Sequence, residues 1–61
     1  MIYDNVKKVC KEKGMTVSEL EESMGIARST IYKWNENIPS AQRLQIAANI
    51  LGVPITELLK E

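Results

Sequence analysis

The sequence contains no histidine and a single cysteine, and it has no net charge, since eight basic residues balance eight acidic ones. The chain therefore lacks the residues for a disulfide, a His-Cys zinc site or histidine-based catalysis. No stretch approaches the roughly 20 apolar residues needed to span a bilayer, and the first four residues lack the basic start and apolar core of a signal peptide. A lone thiol is typical of a reducing compartment. We expect a cytoplasmic protein that is not an enzyme and uses no metal or other cofactor.

The chain of 61 residues predicts one domain, covering 1–61. A zero net charge disfavours a protein that coats nucleic acid non-specifically, because such binding is driven by cationic charge. The charges are nevertheless segregated along the chain. Acidic residues cluster within 19–22, whereas the segment 28–43 holds three basic residues and one acidic residue. This segregation is compatible with a specific binding face.

The spacing of apolar residues predicts five short helices. Their expected bounds are roughly 2–13, 17–24, 28–35, 41–51 and 55–60. Gly14 is placed to end the first helix, and Thr16 with Glu19 forms a capping box that begins the second. Gly25 is placed to end the second helix, and Ser40 is a favourable N-cap for the fourth. The pattern predicts an all-α domain.

The segment 27–35 has two chemically different sides when it is read as a helix. One side is small and apolar with a large anchor: Ala27, Thr30, Ile31 and Trp34. The other side carries hydrogen-bond donors and no carboxylate: Arg28, Ser29, Tyr32 and Lys33. Such a side suits the major groove of DNA, although a solvated surface helix has the same pattern. Two short helices joined by a tight turn with glycine are typical of a helix-turn-helix unit.

Several stretches of the chain resemble the Cro/CI-type (XRE) helix-turn-helix repressors. They are 14–20, 24–31, 39–40, 48–53 and 57–59. The resemblance covers nearly the whole chain and implies a compact five-helix domain of the lambda-repressor type. It further implies a transcriptional regulator, with repression as the expected effect, that binds double-stranded DNA as a homodimer. The second helix would cross the DNA backbone, and the third would lie in the major groove.

The same resemblance assigns the residues that would touch DNA. The expected base contacts are Arg28, Ser29, Tyr32 and Lys33. The expected phosphate contacts, which set register without reading sequence, are Thr16, Val17, Asn37, Ser40 and Arg43. Arg28 suits a bidentate contact with guanine.

The chain departs from the family pattern at three places. Val17 stands where the family often has glutamine, and Glu21 stands where it usually has alanine. Many members also pair an arginine in the first helix with a glutamate at the end of the third, at positions occupied here by Cys10 and Asn35. We expect Cys10 to pack beside Asn35 as a buried thiol.

The fourth predicted helix has more apolar residues than one buried face requires. Its expected core stripe is Ala41, Leu44, Ala48 and Leu51, with Ala47 at the edge. Apolar residues outside this stripe predict a dimer surface made of Ile46, Ile50, Ile55 and Leu59. Isolated surface apolar residues are the alternative interpretation.

A protein-interaction module on the same scaffold, such as an antitoxin-like or inhibitor domain, is the alternative function, because fold alone does not determine function. The sequence is compatible both with a whole protein and with the N-terminal domain of a longer repressor. It indicates no small-molecule ligand and no membrane partner.

Overall fold

The computed structural model describes residues 1–60, which form three α-helices and two short 3₁₀ turns. The α-helices are α1 (Ile2–Glu12), α2 (Val17–Met24) and α3 (Ala41–Leu51), and the 3₁₀ turns are Ile31–Lys33 and Ile55–Glu57. The described part of the chain contains no strand, which confirms the all-α prediction, but the prediction of five α-helices is wrong. None of its helices is long and apolar enough to cross a membrane.

Local capping explains why α2 and α3 have the bounds that the sequence predicts. The Thr16 hydroxyl accepts a hydrogen bond from the Glu19 amide at 3.0 Å, and the Thr16 amide donates to the Glu19 carboxylate at 2.8 Å. Ser40 caps α3 in a similar way, since its hydroxyl accepts from the Arg43 amide at 3.2 Å. Each cap satisfies amides that have no partner inside the helix.

The third predicted helix shortens to the first 3₁₀ turn, Ile31–Lys33. An α-helix cannot run through 28–35 because Ser29 has a φ of 71°, in the left-handed region. The following amides bond three residues back, with Trp34 donating to the Ile31 carbonyl at 2.9 Å. β-Branched and aromatic residues prevail here, and they favour long helices less than alanine or leucine does.

The fifth predicted helix shortens in the same way to the second 3₁₀ turn, Ile55–Glu57. Leu58 donates its amide to the Ile55 carbonyl at 2.9 Å, which closes a single turn. The β-branched Ile55 and Thr56 are weak helix formers, and one turn gives too few hydrogen bonds to propagate a helix.

The core lies where α2 packs against α1 and α3, and the two 3₁₀ turns close it by packing on α1 and α3 respectively. Ile31 and Trp34 are buried there, as predicted. Ala27 and Ala41 were also predicted to face inward, but both are exposed. Ala27 precedes the turn that replaces the third helix. In α3 the buried stripe is Leu44, Ala47, Ala48 and Leu51. Ala41 lies on the same side of the helix as Leu44 and Ala48, but it is the first residue of α3 and lies beyond the end of the core.

Asn35 links the end of the segment 27–35 to the beginning of α1. Its side-chain oxygen accepts from the Tyr3 amide at 2.9 Å, and its amide nitrogen donates to the Asp4 carboxylate at 3.4 Å. Cys10 lies in the last turn of α1, about 10 Å along the helix from Tyr3. The predicted packing of Cys10 beside Asn35 is therefore wrong, although Cys10 is buried as expected.

Burial of Cys10 predicts a slowly reacting thiol. Desolvation raises the pKa of Cys10 above its ordinary value, which disfavours the nucleophilic thiolate. We expect a chromogenic disulfide reagent to modify Cys10 slowly at neutral pH and quickly after unfolding in urea. Because the folded state holds the thiol proton more tightly, the contribution of Cys10 to stability should fall as pH rises above the thiol's ordinary pKa. Equal rates of modification with and without urea would contradict this expectation.

Candidate nucleic-acid interface

A groove of about 640 Å³ lies between the segment 27–35 and the N-terminal end of α3. Its lining residues are Ala27, Arg28, Ser29, Thr30, Lys33, Trp34, Asn37, Ile38, Pro39, Ser40 and Arg43. Three of these side chains are cationic and none is a carboxylate. The groove therefore presents positive charge together with short hydrogen-bonding groups, the combination that a phosphate backbone requires.

The three cations of the groove point to an external anion rather than to an internal partner. Arg28, Lys33 and Arg43 are all exposed. The ion pairs found within residues 1–60 join Met1 to Asp4 and Glu57 to Lys60, and neither involves a residue of the groove. The N-terminus of α3, an eleven-residue helix, adds the partial positive charge of its backbone dipoles at Ser40.

Of the four residues predicted to contact bases, the groove brings together Arg28, Ser29 and Lys33. Tyr32 lies outside it, in a neighbouring depression that Lys33 also lines. There the Tyr32 ring packs at a tilt against the Tyr3 ring of α1, with 5.3 Å between ring centroids. Tyr32 is nevertheless exposed, so all four side chains are accessible from the same segment.

Of the five residues predicted to contact phosphates, the groove contains Asn37, Ser40 and Arg43. Thr16 and Val17 do not line it. The Thr16 amide donates to the Glu19 carboxylate, and the Thr16 hydroxyl accepts from the Glu19 amide, which leaves the hydroxyl hydrogen free to donate. The Val17 side chain packs against the core, so its backbone amide is the group it could offer to a phosphate. The groove thus contains three of the five residues predicted to contact phosphates, and the other two lie outside it at the start of α2.

Ile38 is a component of the groove that the sequence reasoning missed. Its side chain is 75% exposed although it is large and apolar. Apolar side chains at DNA interfaces contact thymine methyl groups. The signal in the sequence was a bulky apolar residue within an otherwise polar loop before Pro39.

An acidic groove borders the basic one. Its lining residues are Ser18, Glu19, Glu21, Glu22, Ile26 and Arg28. Arg28 lines both grooves, so it marks the boundary between positive and negative surface. This boundary would confine a polyanion to the side of Lys33 and Arg43, because the glutamates repel it on the other side.

The sequence model of the helix-turn-helix family matches residues 6–58, which include α2, the first 3₁₀ turn and all the residues that line the groove. The chain belongs to the helix-turn-helix family. Its XRE-type character agrees with two relatives, each called "HTH-type transcriptional regulator SinR", from Bacillus licheniformis and from Bacillus subtilis strain 168. Each is 38% identical over 64 aligned residues, which cover all of this chain and 58% of the relative. The chain thus spans little more than half the length of these relatives. No solved structure gives a significant match.

In this helix-turn-helix unit α2 is the first element, and the second element is only a 3₁₀ turn. Gly25 ends α2 with a φ of 72°, a conformation that glycine adopts without steric cost. The Ile26 amide then donates to the Glu21 carbonyl at 3.1 Å, which closes the turn. The segment 27–35 is thereby held beside α2, with its polar side exposed.

Ser29 stores backbone strain within this helix-turn-helix segment, since it has a left-handed φ of 71°. Glycine tolerates this conformation, whereas a β-branched residue strongly disfavours it. We expect Ser29→Val to be less stable than Ser29→Gly by about 1–2 kcal/mol. Urea unfolding of the two variants would measure the difference, with Ser18, an exposed serine in α2, substituted in the same two ways as the control. Equal stability of Ser29→Val and Ser29→Gly would show that the left-handed conformation is not needed.

Proposed function

We propose that this helix-turn-helix chain binds specific sequences of double-stranded DNA as a transcriptional regulator, most simply as a repressor. The observation that carries the proposal is the groove of three exposed cations, without a carboxylate, directly after α2. The SinR relatives, which are called transcriptional regulators, agree with it. The proposed role involves no catalysis. It also places the protein in the cytoplasm, where bacterial chromosomal DNA lies.

The proposal divides the groove into base-reading and backbone-binding parts. Arg28 and Lys33 would contact base edges in the major groove, with Ser29 and Tyr32 adding short or apolar contacts. Asn37, Ser40 and Arg43 would contact phosphates and so set the register of the segment. Thr16 and Val17 would add contacts at the start of α2, where the DNA backbone passes. These roles are predictions for this chain.

Binding to duplex DNA at several salt concentrations tests the proposal. Neutralisation of one phosphate by Arg43, the cation assigned to the DNA backbone, would give a slope of about −1 in the logarithm of the binding constant against that of salt, per protomer. Selection of bound sequences from random duplexes should then yield one enriched motif. Absence of binding at low salt by the folded protein would refute the proposal.

The acidic groove favours one alternative, a protein-interaction module. The exposed Glu19 and Glu22 would repel DNA, and they would attract a basic protein surface instead. The salt titration separates the two functions, because a protein-interaction module would be indifferent to duplex DNA.

We also propose that the chain binds DNA as a homodimer through α3 and the second 3₁₀ turn, which pack against each other. Ile46 and Leu59 are 42% and 47% exposed, and Ile50 and Ile55 are half-buried side chains that pack against the edge of the core. A two-fold dimer would cover these apolar side chains and present two segments to a near-palindromic site.

Sedimentation of an Ile46→Glu variant tests this surface. We expect the substitution to shift the protein to monomer, because a carboxylate would be buried without a partner in the dimer. Ile38→Glu is a matched control, since it changes an exposed isoleucine of the DNA-facing groove and should leave the oligomeric state unchanged. A wild-type protein that stays monomeric at high concentration would refute the dimer.

A further inference from the structure

Glu21 is a buried carboxylate at the junction between α2 and the DNA-facing segment. Its exposure is only 3%, and no other charged residue among residues 1–60 is buried. Removing a carboxylate from water is unfavourable unless hydrogen bonds or an opposite charge compensate. Within residues 1–60 no lysine or arginine forms an ion pair with Glu21. Its compensation must therefore come from hydrogen bonding.

The hydrogen-bond partner of Glu21 is the backbone amide of Ile31, whose donor lies 3.0 Å from the carboxylate oxygen Oε2. Ile31 is the first residue of the 3₁₀ turn, and first-turn amides have no acceptor within their own turn. The residue that precedes the turn does not supply one, because the Thr30 hydroxyl donates to the Ala27 carbonyl at 2.6 Å instead. Glu21 thus takes the place of a local N-cap, although it belongs to another helix.

This bond ties α2 to the middle of the segment that would read DNA. Arg28 and Ser29 precede Ile31 closely, and Lys33 follows it by two residues. The Ile31 side chain is fully buried in the core. The core therefore fixes the side chain of Ile31, while the Glu21 hydrogen bond fixes its backbone amide. A change in the position of the Ile31 amide would move the cations on either side of it.

We propose that Glu21 is a positioning residue for DNA recognition, which acts by accepting the hydrogen bond of the Ile31 amide. The inference rests on the proposed DNA-binding function. The negative charge of Glu21 is not what the position requires, since no lysine or arginine of the described chain forms an ion pair with it. Glu21 also lies beside the basic groove, where a negative charge would repel DNA. The essential property is an acceptor oxygen at the right distance.

Two nearly isosteric substitutions separate the acceptor from the charge. Glu21→Gln retains an oxygen that can accept from Ile31 and loses the charge, whereas Glu21→Met loses both and keeps the length of the side chain. We expect Glu21→Gln to bind a selected duplex within threefold of the wild type. We expect Glu21→Met to bind it at least tenfold more weakly, while remaining folded by circular dichroism. A methionine fits a buried position well, so a loss of affinity without a loss of stability is a readout that a purely structural role would not produce.

Hydrogen exchange of the Ile31 amide gives a measurement that needs no DNA. The exchange should become faster in Glu21→Met and stay unchanged in Glu21→Gln. Glu12→Met is the matched control, because it removes the same charge from an exposed position in α1 outside both grooves and should alter neither exchange nor DNA binding.

The possible results are distinguishable. Wild-type affinity in Glu21→Met, or equal losses in Glu21→Met and Glu21→Gln, would overturn the positioning role. If Glu21→Met failed to fold, normal binding and normal Ile31 exchange in Glu21→Gln would still support the acceptor, whereas weak binding in Glu21→Gln would overturn it. If the wild-type protein bound no duplex, the DNA-binding function would fail, and altered Ile31 exchange in Glu21→Met alone would still support the Glu21 contact.

Discussion

Replacing Arg28 and Lys33 together with alanine should lower the affinity for a preferred duplex by about thirtyfold or more. Each side chain lines the basic groove, is exposed and has no ion-pair partner among residues 1–60. Loss of one base-reading cation costs about 1–3 kcal/mol, so the two losses together amount to about 2–6 kcal/mol, and the lower bound corresponds to about thirtyfold in affinity. Arg28→Ala alone should also relax the preference at one base pair. Fluorescence anisotropy with a selected duplex and with single-base variants of it would measure both effects.

The matched control is the double variant Lys8→Ala and Lys11→Ala. It removes the same charge from exposed positions of α1, and neither residue lines the basic groove. Its affinity should fall only slightly, since distant surface charges are screened by salt. If the Arg28 and Lys33 double variant kept its affinity for the preferred sequence, the assignment of the segment 27–35 as the reading element would be wrong.

Replacing Ile31 with alanine should remove a large part of the protein's stability. The side chain is fully buried in the core, and truncation of such a residue costs about 2–5 kcal/mol, because contacts are lost and a cavity remains. A domain of 61 residues has a total stability of about 3–9 kcal/mol. The expected loss is thus comparable with the whole stability. Urea denaturation followed by circular dichroism would give the change in the free energy of unfolding.

Ile38→Ala is the control for this prediction. It makes the same chemical change at a side chain that is 75% exposed, and its effect on stability should lie within about 0.5 kcal/mol. If the two alanine variants were equally stable, Ile31 would not be a core residue. A reduced DNA affinity of Ile38→Ala at unchanged stability would further support a contact of Ile38 with DNA.

Much of the fold was predictable because its signals are local. The capping box of Thr16 and Glu19 and the Ser40 cap involve residues three apart, and both define helix ends as expected. The burial of Ile31 and Trp34 also followed from their spacing. The prediction of a third and a fifth α-helix failed because it extended a periodic pattern into segments that form only single 3₁₀ turns.

The candidate site was predictable in its chemistry and less so in its geometry. The three cations of the groove are recognisable from the segregation of charge in 28–43. Their meeting with Asn37 and Ser40 depends on how the segment 27–35 packs beside α3. Tyr32 lies outside the groove, and its ring packs against the Tyr3 ring. The two residues are 29 positions apart in the chain, so no local pattern indicates this contact.

The sequence by itself determined the segment 27–35 as the polar, carboxylate-free stretch that follows a capped helix and a Gly25 turn. Capping, turns and helical spacing depend on residues a few positions apart, which is why they can be read directly. Only the tertiary structure decided that this segment is a 3₁₀ turn with Ser29 in a left-handed conformation. It also decided that Glu21 holds the segment at Ile31 and that Asn35 holds it at Tyr3. These contacts join residues 10 and 32 positions apart, and they form only when the chain packs around one shared core.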